Sequence, residues 1–192
     1  MTPAGPRLGL DTATPFLSLA LWWPGTGRVA RAAWRLDRRL AGELAVRIEG
    51  FVTEHGVTAA DLGGIGVGVG PGSYTGARVG VAWAMAAARA LGVPLVGGDT
   101  LAARAAACIR PGGRGTVATE ARRGEAWIET WRVAIDGRPT VGEGRRRVAT
   151  ADLPADAAAS LGSAPDAAFH ASWVDAPDAT PPVVRYEAAT HA

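Results

Sequence analysis

A chain of 192 residues with 48% hydrophobic side chains can fill one large domain or two small ones, which excludes a disordered protein. Its formal net charge of +2 is too small for a charge-driven grip on nucleic acid. Its single cysteine, Cys108, excludes an internal disulfide framework and a cysteine-built metal site.

One thiol suits a reduced compartment. Arginine carries every fixed positive side chain, since lysine is absent together with asparagine and glutamine; this reads as a GC-rich coding bias. The first residues lack a signal-peptide layout. The richest apolar stretch, Val79 to Leu91, is too short to cross a bilayer and holds Arg89. The expectation is a cytoplasmic protein with no membrane partner.

In chain order, Leu8 to Asp11 predicts a short buried strand ending in an acid, and Thr12 to Pro15 a turn. Phe16 to Trp22 is apolar nearly throughout, as in a strand covered on both faces. Pro24 to Gly27 marks a hairpin, with a third strand over Arg28 to Leu36. Ala41 to His55 turns helical, because Leu40, Leu44, Ile48, Phe51 and Val52 share one face; Gly56 is its expected C-cap. Thr58 and Asp61 have capping-box spacing. Ile65 to Val69 predicts a strand whose glycines permit close approach by a neighbour. A second helix is expected over Ala77 to Leu91, a strand at Pro94 to Val96, and a third helix from Thr100, its N-cap, to Ile109.

Beyond the Pro111 to Gly115 link, strands are expected at Thr116 to Thr119, Ala126 to Ile135 and Val141 to Ala149, with a short helix over Leu153 to Leu161. Three strands followed by alternating helices and strands predict a mixed sheet covered by helices, as in an RNase H-like, actin-type domain.

The segment Gly70-Pro71-Gly72-Ser73-Tyr74-Thr75-Gly76 offers backbone N–H groups at a helix start, so Gly70, Gly72, Ser73, Thr75 and Gly76 form a candidate anion-binding loop. It is no P-loop, because Gly76-Ala77-Arg78 lacks the lysine and the metal-binding hydroxyl. No Gly-x-Gly-x-x-Gly can be read there. Ser73 lacks the flanking glycines of a nucleophile elbow. His55, His170 and His191 fall in no catalytic or metal-binding pattern, and surface or capping roles are expected of all three. Cys108 is expected to be a small buried residue. Asp11 is expected to be a turn carboxylate accepting backbone N–H bonds. Glu120, Arg122, Arg123 and Glu125 make a charged loop between two strands. It reads as a solvated loop or as an arginine pair for a partner's carboxylate or phosphate.

The helix Ala77 to Leu91 has only Arg78 and Arg89 as charges and no useful polar face. One face can pack on the sheet, and the other is expected to meet a partner. The expected interface comprises Arg78, Val81, Ala82 and Met85, with Leu44 and Ile48 from the first helix.

Four segments resemble the TsaB family. They are Leu10-Asp11-Thr12-Ala13-Thr14, Gly70 through Gly80, Gly92 through Gly97 with Thr100-Leu101, and Ala121-Arg122-Arg123-Gly124-Glu125. The match covers about Leu8 to Trp127. The resemblance implies an actin-like ATPase (RNase H-like) fold of two lobes, each a mixed sheet flanked by helices. The lobes would be residues 1–98, carrying the dimerisation helices, and 99–192, returning to the first lobe at its end. It implies a non-catalytic subunit with no cofactor, a paralogue of the catalytic subunit TsaD, in the synthesis of tRNA N6-threonylcarbamoyladenosine. The implied partners are a TsaD-like subunit, a TsaE-like ATPase, tRNA through the complex only, and a second copy when alone. It places Thr12 to Pro15 where an actin-type ATP site has a glycine-rich turn, and Glu120-Ala121-Arg122 where the second acidic turn would stand. The chain departs from relatives at Leu40 or Ala41, where a histidine often starts the first helix, and in its C-terminal part. The rival reading is an actin-fold ATPase or phosphotransferase using Asp11, Ser73, Thr75 and Glu120.

Overall fold

Side chains alternate along the first strands, and that period of two gives their sheet two different faces. The structure, a computed structural model, describes residues 5–122, 124–172 and 174. Strands β1 (Arg7–Asp11), β2 (Phe16–Trp23) and β3 (Arg28–Arg35) form an antiparallel meander. β4 (Gly64–Gly68) and β5 (Leu95–Gly98) add in parallel, giving the order β3-β2-β1-β4-β5. Parallel neighbours need crossovers, supplied by α1 (Leu40–Glu54) and α2 (Tyr74–Leu91).

The register sets Leu8 beside Leu21 and Ile65, and Leu10 beside Leu19 and Val67. These residues make one apolar face, onto which α1 packs Leu44, Ile48, Phe51 and Val52 while α2 packs Val81, Ala84 and Ala88. Each large side chain so buried contributes about 1.5–3 kcal/mol.

The same register puts Gly9 beside Gly66 and Asp11 beside Ser18 on the opposite face. Helix α5 (Ala167–Ser172) lies there, against β1, β2 and β4. A Cβ at Gly9 would collide with the Ala167 carbonyl, and one at Gly66 with the His170 carbonyl. The approach that the β4 glycines permit is therefore made by the chain's own late helix.

A second sheet holds β6 (Arg114–Glu120), β7 (Glu125–Val133) and β8 (Pro139–Ala149) in that order. Both of its pairings are antiparallel, so the parallel pairing lies in the first sheet among the described residues. α3 (Thr100–Cys108) packs Leu101, Ala102 and Ala105 against Val117, Trp131 and Val133. α4 (Ala155–Leu161) packs Ala157 against Ala118, Ala126 and Ile128.

Two local expectations change, and one helix is new. α2 begins at Tyr74 instead of Ala77, because the Ser73 side chain accepts the Gly76 N–H and caps the extra turn. Asp99, one residue before Thr100, caps α3 by accepting the Leu101 N–H at 2.8 Å and the Ala102 N–H at 3.2 Å. Helix α5, six residues in an Ala-rich stretch, had no periodic signal to announce it. The Thr58–Asp61 box forms as its spacing predicts, with both side chains engaged.

Replacing Gly66 by alanine should lift α5 from the sheet and destabilise the protein by about 1–3 kcal/mol or more. Gly42→Ala, with open space around it, should not destabilise. Urea titration of both variants checks the contrast; equal stability would contradict the packing.

Candidate functional site

Ligands of open α/β sheets sit outside the carboxyl ends of the parallel strands. In this chain Asp11 stands at the end of β1, fully buried. Its Oδ1 accepts the Ala13 N–H at 2.9 Å. Its Oδ2 accepts the Thr100 hydroxyl at 2.9 Å and His170 Nε2–H at 2.8 Å. Thr100 and His170 are also fully buried. A Cβ at Gly68 would strike Asp11 Oδ2, and one at Gly98 would strike His170 Nδ1, so both glycines make room for this polar cluster. The carboxylate is closed off from solvent and held by donors from three parts of the chain. Such charge-assisted bonds contribute about 1.5–3 kcal/mol each.

The glycine loop packs on one side against the Thr12–Ala13 backbone. Gly70 and Gly72 have φ of +97° and +150°, conformations that side chains disfavour, and the Gly70–Pro71 peptide is cis. The Ser73 N–H donates to the Ala13 carbonyl at 2.6 Å, and the Thr12 hydroxyl to the Gly76 carbonyl at 2.8 Å. A Cβ at Gly72 would collide with the Ala13 carbonyl, and one at Gly76 with the Thr12 carbonyl. The candidate anion-binding loop and the Thr12 to Pro15 turn thus pack backbone to backbone. Of the candidate anion-binding residues, Ser73 and Thr75 are exposed, Gly72 half-buried, and Gly70 and Gly76 buried.

The proposed catalytic quartet of the rival reading is divided. Asp11 is sealed inside, whereas Ser73, Thr75 and Glu120 are exposed. In the charged loop, Glu125 pairs with Arg147 at 3.3 Å, and that guanidinium stacks on Trp127. Arg122 is exposed, and Arg123 lies outside the described residues.

The expected interface residues separate by side. Leu44, Ile48 and Val81 are only 3%, 4% and 6% exposed and belong to the chain's own core. This corrects their assignment to a docking surface: they occupy the helix faces that the sheet already covers. The outward face of α2 carries Arg78, Ala82, Met85, Ala86 and Arg89, with Met85 54% exposed. Arg78 stacks on Tyr74, its neighbour one turn back, and hydrogen-bonds its hydroxyl at 3.2 Å. On α1, Val46 is 69% exposed beside Gly42 and Gly50, which with Trp34 and Phe51 line a cleft of about 420 Å³.

Two other expectations are corrected. His170 has no surface role, since its imidazole is wholly buried on Asp11, 159 residues away in sequence. Cys108 is exposed, because it is the last residue of α3 and the helix ends before turning it inward. His55 contacts the Phe51 carbonyl at 2.8 Å at the end of α1, as a capping residue does. His191 lies outside the described residues.

Sequence reasoning missed Arg104 and Arg145. Buried Arg104 donates to the Ser160 and Ser163 carbonyls at the end of α4, and burial pushes its guanidinium below its ordinary range. Arg145 of β8 bonds both Asp99 and Glu129, tying the second sheet to the cap of α3. An arginine in a chain without lysine carries no local mark of such a role. Among the described residues no group of acids, histidines and cysteines could hold a metal ion, and no helix is long and apolar enough to cross a membrane.

A family model described as TsaD: tRNA N6-adenosine threonylcarbamoyltransferase matches residues 36–134, just over half the chain. The tRNA threonylcarbamoyladenosine biosynthesis protein TsaB of Escherichia coli is 34% identical over 126 residues, which are 64% of this chain and 53% of that protein. The chain thus spans about half the length of this curated relative. The uncharacterized protein Mb3455c of Mycobacterium bovis is 34% identical over 165 residues, covering 85% of this chain and 75% of its own length. Among solved structures, YeaZ from Pseudomonas aeruginosa superposes with a TM-score of 0.67 at 26% identity, covering 78% of this chain and 70% of that one. The fold is α/β of the actin-like ATPase class.

Asp11→Asn should cost about 1.5–3 kcal/mol, because a charged acceptor is replaced and an amide N–H is aimed at other donors. Denaturant unfolding of the variant measures this; wild-type stability would show that the buried bonds carry no weight.

Proposed function

The chain belongs to the TsaB family, and on that premise we propose that it is a non-catalytic subunit of the machinery that makes tRNA N6-threonylcarbamoyladenosine. It acts by docking: the outward face of α2, with the Gly42–Val46–Gly50 side of α1, receives a TsaD-type catalytic subunit. A TsaE-type ATPase joins that assembly, tRNA meets the chain only through it, and a second copy takes the same face when the chain is alone. In this reading residues 1–98 form the docking lobe and residues 99–192 the smaller second lobe, in the cytoplasm. The loop from Gly70 to Gly76 sets the pitch of the docking helix, and the Arg122 loop is left for a partner's acid or phosphate.

The observation that carries the reading is the pairing of a sealed crevice with an open helix. Asp11 is fully buried on its own chain's donors, while α2 offers Ala82, Met85 and Ala86 to solvent between Arg78 and Arg89. Small residues let a partner helix approach closely, and an exposed apolar stripe with no acid favours a surface that supplies acids.

Ala82→Glu should leave the fold intact, since its side chain lies in solvent, and weaken self-association by roughly tenfold or more. Val81→Glu should instead unfold the chain, because it buries a charge beside Ala84. Size-exclusion chromatography and circular dichroism separate the two. An unchanged elution volume for a folded Ala82→Glu variant at equal concentration would end the docking claim. Copurification of TsaD-type and TsaE-type proteins with the wild type, but not with Ala82→Glu, tests the wider assembly.

A further inference from the structure

We infer that His170 is a positioning residue for the docking helix α2, so that the seating of α5 and binding at α2 are coupled; the docking half of this rests on the function proposed above. An unbroken set of hydrogen bonds runs from α5 to the start of α2, with Asp11 at its centre. From α5, His170 Nε2–H reaches Asp11 Oδ2 at 2.8 Å. The same oxygen accepts the Thr100 hydroxyl at 2.9 Å, and Thr100 Oγ1 in turn accepts the Gly70 N–H at 3.2 Å. The Thr100 N–H closes the pair by donating to the Gly70 carbonyl at 2.9 Å. The other carboxylate oxygen accepts the Ala13 N–H at 2.9 Å, and the Ala13 carbonyl accepts the Ser73 N–H at 2.6 Å. Ser73 is the N-cap of α2. One arm of Asp11 therefore ends on the first glycine of the loop, and the other on the residue that starts the helix.

Asp11, Thr100 and His170 are each fully buried, so the bonds among them are shielded from solvent and a lost partner is costly. The loop they hold contains two glycines in positive-φ conformations that solvent-exposed chain would not keep unaided. α5 has anchors besides the histidine: just before it the Asp166 N–H donates to the Ala103 carbonyl at 3.0 Å, and Asp166 pairs with Arg31 at 2.9 Å. Removing the imidazole donor therefore loosens the Asp11 arms without releasing the helix that carried it. By linkage, a partner that fixes the start of α2 also tightens α5.

Amide hydrogen exchange by NMR on the full chain tests this, with His170→Leu, His170→Gln and Thr100→Val. Exchange at Gly70 and Ser73 should quicken roughly tenfold in His170→Leu and Thr100→Val, the effect of one buried hydrogen bond, while the Ile48 and Val133 amides keep their rates. Glutamine carries an N–H donor at the reach of Nε2, and His170→Gln should restore wild-type exchange. Thr100→Val removes the Gly70 acceptor directly but reaches Ser73 only through Asp11, so its Ser73 rate decides the matter if His170→Leu does not fold. Unchanged exchange at Gly70 and Ser73, equal quickening everywhere, or no rescue by glutamine would each overturn the inference. Docking is read separately, by the elution volume of Ala82→Glu, so a failure of the docking claim would appear in association and not in the loop exchange of the His170 and Thr100 variants.

Discussion

Glycine on one face of the first sheet leaves a trough, and α5 lies in it. Gly9 and Gly66 admit the backbone of the helix, and Gly68 and Gly98 admit the imidazole of His170 beside Asp11. No other residue type fits these places without pushing the helix away. Once α5 is seated, the carboxyl end of β1 is filled from within, and the polar groups found there are spent on one another. The loop before α2 inherits its shape from the same cluster through Thr100 and Ala13. A chain built this way has placed its buried charge in the service of geometry.

That geometry leaves α2 with two unlike faces. Val81, Ala84 and Ala88 are committed to the core, and Ala82, Met85 and Ala86 remain outside. Side chains this small contribute little helix amphipathicity, so the outward face is smooth and nearly uncharged except at Arg78 and Arg89. The second sheet is locked to the first by Asp99, which caps α3 and meets Arg145 of β8. α5 adds its contact with α3 through Asp166 and Ala103.

Much of this was legible in the sequence because period and punctuation are local. The leucine and isoleucine spacing of α1 named its buried face, and Gly92, left-handed at φ 67°, ended α2 where the pattern stopped. The β4 glycines announced a close neighbour but not its identity. What stayed hidden was either long-range or degenerate. The Asp11–His170 pair spans 159 residues and has no motif. Alanine occurs on both the buried and the exposed face of α2, which is why Val81 and Ala82 looked equivalent. Asp99 and Thr100 are both good caps, and only the backbone decides between them. Cys108 fell at a helix end, where the period no longer dictates direction.

The central claim is that the polar groups at the carboxyl end of β1 are spent on one another, with His170 of the chain's own α5 bonded to Asp11. Isothermal titration calorimetry of the isolated chain with Mg-ATP tests it most directly. The account predicts no saturable heat and no phosphate release; stoichiometric binding with turnover would contradict it.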